Sequence, residues 1–169
     1  MGRRLKNQIQ FFISALMLYS LIFCHAAFSE LPPAPEDLFL QTPKGIENDV
    51  LYSRLMKAEP GSQQQEHLKI TYLIARIRGS NYEFIRNDQP FKGARAAQHM
   101  QTKYRYVYGQ IRTVQEFIDN IASHSERTGA PYLIRIPGAG TFYLRDILLN
   151  ELRLLETTLQ KSTEAVPQS

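Results

Sequence analysis

His99 and Lys103 stand four residues apart, a spacing that places both on one face of a helix, with Tyr104 and Tyr106 near its edges. An imidazole beside an ammonium could work as a general base with an electrostatic partner. The plainer alternative is a ring packed at a helix–sheet seam and bonded to a backbone carbonyl. Ser123-His124-Ser125 sets another His between two hydroxyls. Adjacent helical residues point apart, so this tripeptide is not a triad, and Ser125 and Thr128 suit the free carbonyls of a helix end. A third arrangement brings Asn87, His99 and Ser125 together as a polar pocket for a small ligand. The catalytic candidates are His99, Lys103 and Ser125, and the binding candidates are Arg86, Asn87, His99, Arg105 and Tyr106.

Metal and cofactor chemistry has less to stand on. His67, His99 and His124 are scattered, with no HExxH-type spacing, and neither a P-loop nor a dinucleotide glycine pattern occurs. We therefore expect no cofactor and no metal. The tyrosines and arginines of the middle segment suit a protein or glycan contact surface, where these side chains are favoured anchors.

Several elements must position these residues. Leu68, Ile70, Leu73, Ile74 and Ile77 recur at helical spacing, and Gly79 ends the run. Tyr82–Arg86 and Gln89–Phe91 read as two short strands joined by Asn87-Asp88, with Pro90 placed where no ladder donor is needed. Ala94, Ala97, Met100, Tyr104, Val107 and Ile111 give an amphipathic helix from residue 94 to about 108. Thr113-Val114-Gln115-Glu116 is a capping box opening a helix that carries Phe117, Ile118 and Ile121 inward. Tyr132–Ile136 is a strand, Pro137–Gly140 a loop, and Leu144, Leu148, Leu152, Leu155 and Leu159 line a final helix. The expected class is α+β, about four helices packed on a small two- to three-stranded antiparallel sheet.

These residues also form a recognisable order. Phe84-Ile85-Arg86-Asn87, Ala96-Ala97-x-His99-Met100 and Lys103-Tyr104-x-Tyr106 are followed by Thr113-x-x-x-Phe117-Ile118 and Ile121-Ala122-Ser123-x-Ser125. Thr128-Gly129-x-Pro131-Tyr132-Leu133-Ile134-Arg135-x-Pro137-Gly138 completes the pattern. Over roughly residues 66 to 155 the chain resembles the YfeK-like family of small exported proteins from Gram-negative bacteria. It departs from that pattern at Ile136, where members commonly carry Cys, and at Asn87-Asp88-Gln89, where they carry a Gly-containing turn. The family is a domain of unknown function, so the resemblance implies a fold and a compartment but no reaction.

Residues 1–29 read as a secretory signal peptide. Arg3, Arg4 and Lys6 precede an apolar run from Phe11 to Cys24, then smaller residues up to Ser29. A spanning helix needs about 20 apolar residues, so this run is short for an anchor. Phe23 before Cys24 argues against a lipobox, which wants a small residue there. Signal removal takes away the one cysteine, and with it any disulfide or Cys nucleophile.

Of 20 Lys+Arg and 16 Asp+Glu, the signal holds three bases and no acid. The basic pI therefore comes largely from the targeting segment and is poor support for a nucleic-acid partner. Within the rest, residues 69–112 hold nine bases against Glu83 and Asp88, between acidic flanks. Such a segment pairs internally or faces an anionic partner such as a lipid headgroup or cell-wall polymer.

The expected organisation is a signal over 1–29, a proline-containing acidic linker with a short helix over 30–64, a compact domain over 65–160 and a disordered tail over 161–169. We expect a periplasmic or secreted, non-enzymatic binding module with a protein or cell-wall partner, no nucleic acid and no integral membrane domain after cleavage. The alternative is a small hydrolase acting on cell-wall or peptide material, with His99 as general base.

Overall fold

In the computed structural model, which describes residues 31–43 and 46–164, the central element is a helix whose apolar residues look in almost every direction. Ser62 caps it, its hydroxyl accepting the Gln65 amide at 3.2 Å, and the helix α2 runs Gln63–Gly79. Leu68, Ile70, Tyr72, Leu73, Ile74 and Ile77 are all buried on it, as expected of a helix surrounded by other elements. Each such aliphatic side chain withdrawn from water contributes about 1.5–3 kcal/mol.

A shorter helix α1 (Val50–Leu55) precedes α2, and Asp49 caps it by accepting the Leu51 amide. After α2 come the strands β1 (Glu83–Arg86) and β2 (Gln89–Lys92). Asn87 and Asp88 join them with φ of 48° and 59°, the left-handed pair that a two-residue I′ hairpin turn requires. Pro90 lies on β2, which is an edge strand, so its missing N–H costs no ladder bond.

The helix α3 (Gly93–Tyr106) buries Gly93, Ala97, Met100 and Tyr104 at spacings of four and three. The capping box forms as expected. Thr113 accepts the Glu116 amide, and the Glu116 carboxylate accepts the Thr113 amide in return. It opens a short α4 (Val114–Phe117), which widens into a π turn over Ile118–Ala122. The Ser123 hydroxyl donates to the Ile118 carbonyl five residues back, tying off that wide turn at 2.6 Å. Phe117, Ile118 and Ile121 point inward.

Strands β3 (Leu133–Ile136) and β4 (Gly140–Tyr143) complete an antiparallel sheet of order β2-β1-β3-β4. The last helix, α5, runs Leu144–Glu164. Phe84, Ile134, Ile136 and Phe142 are buried on the face that meets the helices, whereas Glu83 and Arg135 pair on the other.

Two expectations are corrected. The described residues hold five helices and four strands, not about four helices on two or three strands. The extra strand is β4: Gly-Thr-Phe-Tyr is too short to show a period before it passes directly into a leucine-lined helix. Residues 161–164, expected as tail, belong to α5, and Ser162 there meets the Tyr52 hydroxyl at 2.7 Å.

The expected linker packs as well. Leu40, Ile46, Tyr52, Leu55 and Ala58 join the same buried cluster as the rest of the domain. Asn150 donates its amide to the Pro35 and Leu38 carbonyls, and the Glu151 carboxylate accepts the Leu40 amide at 2.6 Å. Glu151 is fully buried, bonded through both oxygens to Arg76, whose guanidinium also donates to the Gln41 carbonyl. The described residues from Leu31 to Glu164 thus form one compact unit. No helix among the described residues is long and apolar enough to cross a membrane. The segment expected as a signal lies outside the described residues.

Candidate functional site

Strand alternation decides which side chains reach the helices. Phe84 pairs with Ile134 across β1 and β3, and both are buried. Two residues after Phe84 and two before Ile134, on the same face, stand Arg86 and Tyr132. The helix α3 lies over this end of the sheet and offers Arg95, Gln98, His99 and Thr102, one stripe at spacings of three, one and three. Between sheet and helix lies a cavity of about 330 Å³, to which Phe84, Phe91, Met100 and Leu144 supply apolar wall.

His99 and Tyr132 are the centre of this wall. His99 Nε2 and the Tyr132 hydroxyl are 3.3 Å apart, and the rings meet edge to face with centroids 6.2 Å apart. Burial lowers the His99 pKa from its usual 6.5, and the neighbouring Arg86, Lys103 and Arg95 charges lower it further, opposed by Glu126. His99 is therefore a neutral imidazole at neutral pH. Burial likewise raises the Tyr132 phenol, with the Arg86 charge opposing.

The depressed His99 pKa has a consequence for stability. The folded chain takes up this proton less readily than the unfolded chain, so the contribution is complete above 6.5 and is lost as pH falls toward the folded value. Melting followed from about pH 8 to about pH 5 should show a drop through this window, and His99→Gln should flatten it. An unchanged profile in that variant would show that other groups set the acid limit.

Lys103 has a different task. Its ammonium donates to the Ile121 carbonyl at 2.9 Å and the His124 carbonyl at 3.5 Å, and it pairs with Glu126 at 3.2 Å. It thus caps the carbonyl end of the π turn, where a cation is favoured. It also lies 5.6 Å from the Tyr132 ring centroid.

Ser125 is 1% exposed and its backbone organises the turn, accepting the Gly129 amide and donating to Ala130. Neither Ser125 nor Asn87 lines the cavity. Asn87 sits in the hairpin turn, its side-chain oxygen accepting the Thr128 hydroxyl. The expected convergence of Asn87, His99 and Ser125 is thus replaced by that of Arg86, His99 and Tyr132. Arg105 and Tyr106 are exposed on α3 outside the cavity, Tyr106 at 91%.

His67 lies apart, its Nδ1 3.0 Å from the Tyr104 hydroxyl in an aromatic cluster with Tyr108. Among the described residues no three His, Cys, Asp or Glu side chains converge as metal ligands do. Sequence reasoning had not singled out Tyr132, Arg95 or Phe91. The signal for Arg95 was its place four residues before His99, and for Tyr132 the two-residue step from Ile134.

Fold and site together define an α+β domain with a cationic, largely apolar cavity at its helix–sheet seam. Residues 64–156, more than half of the chain, match the family of unknown function DUF5329, and the protein belongs to that family. No curated protein and no solved structure matches it.

Proposed function

We propose that the chain is an exported, non-enzymatic binding module of the cell envelope that takes its ligand in the cavity between β1, β3 and α3. The observation that carries this reading is the composition of the wall: two arginines, a neutral His, a Tyr, Gln98 and Thr102 set among apolar side chains. A few convergent polar groups on apolar lining is the usual make-up of a small-molecule site. Export rests on the basic, then apolar, then small-residue pattern of residues 1–29, and the resemblance to YfeK-like proteins supports the same compartment.

One observation favours the hydrolase alternative, since a neutral His99 could accept a proton. Against it, among the described residues the wall holds no carboxylate to orient that ring and no Ser or Cys nucleophile, and Lys103 is committed to helix carbonyls. Two measurements test the proposal. The intact mass of chain released from the periplasm should correspond to a start near residue 30; a chain retaining residues 1–29 in the cytoplasm would contradict export. A set of small fragments, followed by amide chemical shifts, should converge on Ala96, His99, Met100 and Tyr132. Hits scattered over the surface, or none, would remove the cavity as the binding site.

A further inference from the structure

Four Lys or Arg residues among those described are withdrawn from full solvent exposure: Lys69, Arg76, Arg86 and Lys103. Three of them meet a carboxylate. Lys69 pairs with Glu66 and Glu156, Arg76 with Glu151, and Lys103 with Glu126. Arg86 has no such partner among the described residues. Its Nε is shielded from solvent and meets no hydrogen-bond acceptor there. A shielded guanidinium donor without an acceptor is unfavourable. The Tyr72 and Ser125 hydroxyls are also buried without a partner, but Arg86 alone of these three carries a charge.

The surroundings of Arg86 define what would complement it. Among the described residues the cavity wall contains no Asp or Glu; the Glu126 carboxylate, which acts on His99 and Tyr132 from outside the wall, is paired with Lys103. Arg95 adds a second positive charge at the wall, its guanidinium held toward Gln98 at 3.1 Å. His99, kept neutral, and the Tyr132 hydroxyl add polar atoms without adding negative charge. Beyond this polar end, Phe84, Phe91, Met100 and Leu144 offer only apolar contact. The guanidinium fork matches a planar carboxylate, and a single shielded Arg balances a single negative charge.

We infer that the cavity binds a small amphipathic carboxylate, its head group on Arg86 and its apolar body against Phe84, Phe91, Met100 and Leu144. This inference rests on the cavity being the binding site. It adds the sign, the number of charges and the two-part character of the ligand.

Four probes test it by amide chemical-shift titration of the full mature chain: octanoate, 1-octanol, octylammonium and acetate. Octanoate should move the amides of Ala96, His99, Met100 and Tyr132 and bind about tenfold more tightly than 1-octanol, the difference of one charge-assisted hydrogen bond. Octylammonium should bind more weakly than 1-octanol, and acetate more weakly than octanoate. Arg86→Gln should remove the preference for octanoate and leave 1-octanol unchanged. Because the probe comparison is made in the unaltered protein, it stands even if that variant folds poorly.

Octanol or octylammonium bound at the same amides as tightly as octanoate would overturn the anionic assignment. Acetate bound as tightly would overturn the apolar body. Fragments bound in the cavity with silence from all four probes would overturn the carboxylate assignment alone. Silence from fragments and probes alike would take the cavity reading with it.

Discussion

Replacing Glu151 with Gln should destabilise the protein by about 3–5 kcal/mol and release residues 31–43 before the rest unfolds. The carboxylate is 0% exposed and holds three parts of the chain at once. One oxygen takes Arg76 Nε from α2 at 2.8 Å; the other takes the Leu40 amide at 2.6 Å and an Arg76 terminal nitrogen at 3.2 Å. The same guanidinium reaches the Gln41 carbonyl at 2.8 Å, while the Gln41 side chain donates to the Arg76 carbonyl at 2.8 Å. A glutamine fills the same volume but turns one acceptor into a donor facing a guanidinium and leaves the Arg76 charge uncompensated.

Domains of this size have total stabilities of about 5–15 kcal/mol, so the change is large on that scale. Urea unfolding gives the magnitude, and limited proteolysis within residues 31–43 gives the order of events. Arg76→Met combined with Glu151→Leu should recover the part of the loss due to the uncompensated charge, but not the part due to the Leu40 amide and Gln41 carbonyl, which lose their partners. A single-variant loss below about 1 kcal/mol would show that this pair does not hold the segment.

The second large effect is expected from one methyl group. Gly93 opens α3 where it crosses the end of α2, and a Cβ there would stand 2.3 Å from the Ile77 carbonyl oxygen and 2.6 Å from that of Ser80. Both obstacles are backbone, so neither can rotate away as a side-chain tip would. Gly93→Ala must part the two helices, at a cost of about 3 kcal/mol. The sign makes the test sharp. In an unobstructed helix the same substitution stabilises by up to about 1 kcal/mol through lost unfolded-state freedom. A higher denaturation midpoint in the variant would therefore refute the close approach. Because Arg95 and His99 follow on the same helix, displacement at Gly93 should also disturb the cavity amides.

Local chemistry explains why some of this architecture could be read from the chain. Asn87-Asp88 tolerates left-handed backbone, so the β1–β2 hairpin was visible in two residues. The Thr113–Glu116 box and the leucine spacing of α5 announce themselves within a turn or two. The packing of residues 31–58 could not be read that way. Pro32-Pro33-Ala34-Pro35 has the composition of an extended leader, yet its hold comes from Asn150 and Glu151, more than a hundred residues away.

The site divides along the same line. His99 stood out as a titratable residue beside Lys103, but four-residue spacing says nothing of what lies opposite. The sheet supplies Tyr132 from thirty-three residues on, and Lys103 turns toward the carbonyls of another helix. Ser125 and Asn87 were near His99 in chemistry and not in space.

The staple between α2 and α5 makes heredity and cooperativity diverge in this chain. The segment shared with the family starts at residue 64, but five core side chains and the Leu40 amide that satisfies Glu151 lie before it. A fragment trimmed to the shared segment would keep the Arg76–Glu151 pair while stripping its backbone partners and opening the apolar sides of α2 and α5 to water. The segment shared with the family is thus smaller than the packed unit, and the residues ahead of it supply side chains and a backbone donor that the shared segment needs.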